Sequence, residues 1–137
     1  MAVTINRTVS DGGQTTVFEV VSTGEVGTES GTALDVSSLV GAGGDGRERV
    51  RVLHVKALVC GADSNVTLEW DSTGTNIAFL TLPEGSTDMP IRCDPSGSDL
   101  TGDIAFSSTA ATPFTLHVRV EKIQSFSGSM ATISKIM

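Results

Sequence analysis

Arg47-Glu-Arg-Val-Arg-Val-Leu-His-Val-Lys-Ala-Leu-Val-Cys60 is the longest uninterrupted strand-like run in the chain. Side chains in a strand alternate between its two faces. Counting odd positions, Leu53, Val55, Ala57 and Val59 fall on one side. Val50, Val52, His54, Lys56, Leu58 and Cys60 fall on the other. One face is then apolar and the other mixed, while Arg47, Arg49 and Arg51 project together from the basic end. A strand this long is expected in the middle of a sheet, paired on both sides.

The flanking sequence repeats the pattern. Upstream, Val3, Ile5, Arg7 and Val9 alternate with Ala2, Thr4, Asn6 and Thr8, and Asp11-Gly12-Gly13 is a turn signal. Thr15 to Ser22 then completes a hairpin. Residues 23–31 form a polar loop, and 32–40 suit either a strand or one helical turn. Downstream, Val66, Leu68 and Trp70 point inward against Thr67 and Glu69. Asn76 to Leu82 is apolar on both faces, as an inner strand would be. Met89 to Cys93 is short, and Pro90 places it at an edge or a bulge. Residues 103–107 form a further strand. Phe114, Leu116, Val118 and Val120 alternate with Thr115, His117, Arg119 and Glu121. Eight or nine short strands without an amphipathic helix predict an all-β fold: an antiparallel β-sandwich, jelly-roll-like, with flexible termini.

The totals agree with one such domain. The chain has 137 residues, 39% of them hydrophobic and only 18% charged, against a usual ~25% charged. Gly, Ser and Thr fill the difference. The net charge of −7 argues against direct nucleic-acid binding, which needs a basic face to neutralise phosphates. No run approaches the ~18 apolar residues of a membrane span. The N-terminus lacks a charged segment followed by an apolar core, so no signal peptide is expected. Cys60 and Cys93 read as two buried free thiols of a reducing compartment rather than a disulfide framework.

Chemistry-bearing motifs are sparse. Gly41-Ala-Gly-Gly-Asp-Gly46 has the glycine density of a phosphate loop but not its GxxxxGK[ST] spacing. His54 and His117 sit in mid-strand, and no GxSxG elbow is present. The cysteines lack the spacing of a zinc site. Asp94 to Asp103 gathers three carboxylates but not the EF-hand order. A glycosidase cleft would need aromatic platforms, and Trp70 has a core explanation; a carbohydrate-binding β-sandwich module, which would need exposed aromatics, stays an alternative. No catalytic residue, cofactor or metal is assigned, and an enzyme is not expected.

Residues 1–123 are read as the sandwich and 124–137 as a C-terminal extension. That extension is Ser- and Gly-rich, yet it holds Phe126, Met130, Ile133, Ile136 and Met137, more apolar residues than a free tail needs. The opening MAVTINRTVSDGGQTTVFEV, followed by Gly/Thr/Ser-rich turns and short valine-rich strands, resembles the small structural proteins of tailed bacteriophages. Among these it is most similar to head decoration (cement) proteins; a tail, neck or fibre component of a virion stays an alternative. The resemblance implies a homotrimer, or a dimer, assembled in the host cytoplasm. Such an oligomer would sit on the capsid exterior and reinforce the major capsid protein. It carries over no functional residue. Candidate contact residues come from the chain itself: Val3, Ile5 and Arg7; Arg47, Arg49 and Arg51; and Phe126, Met130, Ile133 and Ile136.

Overall fold

The quoted run folds as a strand, β4 (Arg49–Val59), hydrogen-bonded on both sides as expected. It does not keep one phase. Pairing slips between Val52 and His54, which makes Leu53 an extra residue, a β-bulge. Before the bulge the even positions Val50 and Val52 are buried; after it the odd positions Val55, Ala57 and Val59 are. One inserted residue reverses every side chain that follows. His54 and Lys56 therefore stand on the outer face with Arg51, and Val52 does not share it.

A computed structural model describes residues 4–12, 14–22, 30–61, 64–109 and 113–126. Besides β4 these form β1 (Thr4–Asp11), β2 (Thr15–Ser22), β3 (Ser30–Leu34), β5 (Asn65–Ser72), β6 (Ile77–Pro83), β7 (Gly85–Cys93), β8 (Leu100–Ser108) and β9 (Phe114–Gln124). The stretch that suited a strand or a helical turn supplies both: β3 and then a 3-10 turn, Val36–Ser38, capped by the Asp35 carboxylate. Two antiparallel sheets result, ordered β1-β2-β9-β4-β7 and β3-β8-β5-β6. β2 pairs with β9, β3 with β8, β4 with β7 and β5 with β6. The partners count inward from both ends, as if one long hairpin had been rolled up. That is a jelly roll.

The core lies between the sheets and is mainly aliphatic, with Phe18, Trp70, Phe106 and Phe114 among its larger members. The apolar run 76–82 is not an inner strand; it forms β6, at the edge. Its apolar content goes into covering: Leu82 is buried, and Phe79 stacks on Trp70 at 4.5 Å. Irregularities mark all four edge strands. Register slips fall at Val9 in β1, Ala33 in β3 and Phe79 in β6, and β7 slips between Pro90 and Cys93. Bulges and a proline spoil an edge as a template for strand addition.

Lys122 closes one end of the sandwich. It continues the inward series Phe114, Leu116, Val118, Val120 and is 1% exposed. Its Nζ donates to Asp11 Oδ1 (2.6 Å) and to the carbonyls of Gly12 (2.6 Å) and Val40 (2.7 Å). It also lies 5.4 Å from the centre of the Phe126 ring. Burial pushes the Asp11 carboxyl up, but hydrogen bonds from Lys122, the Val40 N–H and Thr16 outweigh it and hold Asp11 below the usual carboxylate range. Phe126 is buried and bridges to Ala42. Packing thus continues three residues past 123.

The 3-10 turn lies against β8, where the Val36 N–H donates to Asp103 Oδ1 at 3.0 Å. Burial raises the Asp103 pKa, against that hydrogen bond, and Asp35, Asp71 and Glu48 act in the same direction as burial. A raised folded-state pKa contributes stability that is full below the unfolded value, about 3.9, and lost as pH rises through the folded one. Asp103→Asn keeps the acceptor oxygen and removes the ionisation. Its urea midpoint is expected to gain on wild type between pH 4 and 7; a gap that stays constant with pH would contradict this assignment.

Candidate functional site

Charge divides between the two sheets. Among the described residues, every Lys, Arg and His that lies in a strand belongs to the five-stranded sheet. β3, β5, β6 and β8 carry none, and their ionisable residues are Glu69, Asp71 and Asp103. The fold makes this division, since the two sets of strands interleave along the chain.

The cations on the outer face of the five-stranded sheet are placed by register. Glu19, His117, Lys56 and Asp88 form one row across β2, β9, β4 and β7. Val17, Arg119, His54 and Pro90 form the next. Cross-strand Cβ atoms lie about 4.5–5.5 Å apart, so His117, Lys56, Arg119 and His54 make a compact block of four. The block exists only because the Leu53 bulge turned His54 and Lys56 outward. Both histidines are held by carboxylates, His117 Nε2 to Glu19 Oε2 and His54 Nε2 to Asp88 Oδ1, each at 2.6 Å. Neither ring bonds a hydroxyl or thiol among the described residues, so neither activates a nucleophile there.

Lys56 and Arg119 are exposed and have no hydrogen-bonding or ionic partner among the described residues. Two shallow hollows flank them. One, of about 360 Å³, is lined by Lys56, Leu58, Ser86, Thr115 and His117. The other, of about 340 Å³, is lined by Val17, His54, Lys56, His117 and Arg119. Leu58, 51% exposed, adds an apolar side chain to this face.

The three expected arginines make different contacts. Arg47 is exposed. Arg49 spends its guanidinium on backbone carbonyls, with Nη1 to Glu48 at 2.7 Å and Nη2 to Leu100 at 3.0 Å. Arg51 binds Asp94 through Nε and Glu121 through Nη1, the latter at 2.9 Å. The hydrogen bond with Asp94 raises the Arg51 pKa and lowers that of Asp94. Of the other contact candidates, Ile5 and Arg7 lie on β1, and Phe126 is in the core. Val3, Met130, Ile133 and Ile136 lie outside the described residues.

The carboxylates of the 94–103 loop go separate ways, Asp94 to Arg51 and Asp103 to the Val36 N–H. Among the described residues no three His, Cys, Asp or Glu side chains are grouped to hold a metal. Both cysteines are free, but Cys60 is exposed rather than buried. Burial pushes the half-buried Cys93 thiol up, opposed by the Trp70 indole N–H, which faces it too loosely to count as a hydrogen bond. No protein-family model matches the chain, and no curated protein matches its sequence.

Proposed function

We propose that this chain is a structural assembly protein that decorates a bacteriophage capsid and stabilises it through contacts with the major capsid protein and with its own copies. The observation that best supports the reading is the mixed outer face of β9 and β4. There, unpaired cations, hydroxyls and the half-exposed Leu58 stand on a rigid sheet whose edges are spoiled for strand addition. Protein–protein interfaces are built from such surfaces, broad and chemically mixed. The jelly roll itself occurs in viral capsids, lectins and cupins alike, so it does not choose among them. The likeness of the opening stretch to phage virion proteins favours the virion.

A carbohydrate-binding role loses its support. Trp70 is 2% exposed, and the five phenylalanines are buried or, for Phe79, half-buried. Apart from the half-buried Phe79, which stacks on Trp70, no aromatic ring is left as a platform for a sugar.

Immunogold labelling of particles produced from the genome that encodes the chain is expected to mark the heads in many copies. Label confined to the tail, neck or fibres would reassign the chain within the virion. Its absence from purified particles would refute the proposal.

A further inference from the structure

The geometry points to an extended acidic segment of a partner protein as the ligand of the β9–β4 face, with two of its carboxylates, two residues apart, seated on Lys56 and Arg119. The inference rests on the assembly reading above and names the chemistry of the partner.

Most basic groups on this sheet are already engaged. Arg51 is held by Asp94 and Glu121, His117 by Glu19 and His54 by Asp88. Lys122 is buried on its own carboxylate. Lys56 and Arg119 differ, being exposed and without partners among the described residues. In a chain of net charge −7, two neighbouring free cations are a local excess of the scarcer sign.

Their spacing selects the ligand. Lys56 pairs across the ladder with His117, and Arg119 lies two residues further along β9. Such diagonal neighbours stand about 7–8 Å apart. One carboxylate or phosphate would have to draw both long side chains over a single point, whereas two carboxylates give each cation its own partner. Side chains two residues apart on an extended chain project to the same side about 6.8 Å apart, which matches. The hollows on either side give the intervening backbone and its neighbours a place beside Leu58 and Val17.

The test uses the purified full-length chain and three probes: the peptides Gly-Glu-Gly-Glu-Gly and Gly-Glu-Gly-Gly-Gly, both with blocked termini, and inorganic phosphate. Binding is followed by NMR shifts of the backbone amides at low salt. The two-carboxylate peptide is expected to shift residues of β9 and β4. It should bind about 1.5- to fivefold less well to Lys56→Ala and to Arg119→Ala, the range for one exposed ion pair. Arg47→Ala should bind as wild type, and added NaCl should weaken binding throughout. Equal binding of the one-carboxylate peptide or of phosphate, or indifference to both substitutions, would overturn the inference. The larger reading is separated by particle occupancy. If Lys56→Ala/Arg119→Ala decorates heads like wild type, this inference fails and the assembly role stands. If the chain is absent from particles yet binds the peptide as described, the role fails and the inference stands.

Discussion

Replacing Lys122 with methionine is expected to lower the unfolding free energy by about 3–5 kcal/mol, the cost of removing one partner from a buried ion pair. Methionine keeps most of the side-chain volume, so the loss reports on the ammonium group rather than on a cavity. Three acceptors depend on that group: the Asp11 carboxylate and the carbonyls of Gly12 and Val40. They belong to the β1–β2 turn and to the chain leaving the 3-10 turn, so one nitrogen ties three segments together at the mouth of the core. Without it Asp11 keeps the Thr16 hydroxyl and the Val40 N–H but has no counter-ion. Domains of this size have a total stability of about 5–15 kcal/mol, so the variant should melt far below wild type or be partly unfolded at 37 °C. Asp11→Asn should also destabilise, and the double variant should cost clearly less than the two singles added. Additive costs in urea denaturation would show that the pair is not coupled.

Gly102→Ala is expected to cost about 3 kcal/mol or more. Gly102 has φ +95, a conformation that L side chains rarely adopt. A Cβ there would collide with the Glu48 carbonyl, and would come within 2.8 Å of Arg49 Nη1 and 3.1 Å of Val36 Cγ2. The close approach of β8 to the start of β4 lets Arg49 reach the Glu48 carbonyl just before β4 and the Leu100 carbonyl on β8, and so clamp one sheet to the other. Gly44→Ala separates strain from crowding. Gly44 has φ +76, but a Cβ there meets nothing within 4 Å. It should cost only about 1 kcal/mol. Similar losses at the two positions, read by thermal or urea unfolding, would rule out close sheet approach as the cause.

How much of this was legible depended on whether each strand kept its phase. β5 and β9 do, and their inward residues could be read directly: Val66, Leu68 and Trp70, and Phe114 through Val120. β4 does not, because nothing about Leu53 as a residue type announces a bulge. The outward placement of His54 and Lys56, and with it the basic block, stayed hidden. Lys122 was readable in principle. It falls on the same parity as Val118 and Val120, just as the buried Glu48 falls on that of Val50 and Val52. A charge at the end of an apolar series looks like the strand leaving the core, and only the positions of Asp11 and Val40 show otherwise. The run at 76–82 misled for a related reason. Apolar residues on both faces suggest burial on both sides, but here a bulge at Phe79 uses them to cover Trp70 from an edge. The separation of charge between the sheets needs strand order, which depends on contacts far apart in sequence.

The proposed assembly role places the outer face of β9 and β4 against a partner. Acetylation followed by mass spectrometry compares the free chain with the chain in purified phage particles, where the proposal puts it. Lys56 lies at the centre of that face, and Lys122, whose side chain has no solvent exposure, is an internal control. Lys56 is expected to be modified readily in the free chain and protected in the particle, while Lys122 stays unmodified in both. Equal modification of Lys56 in the two states would contradict it.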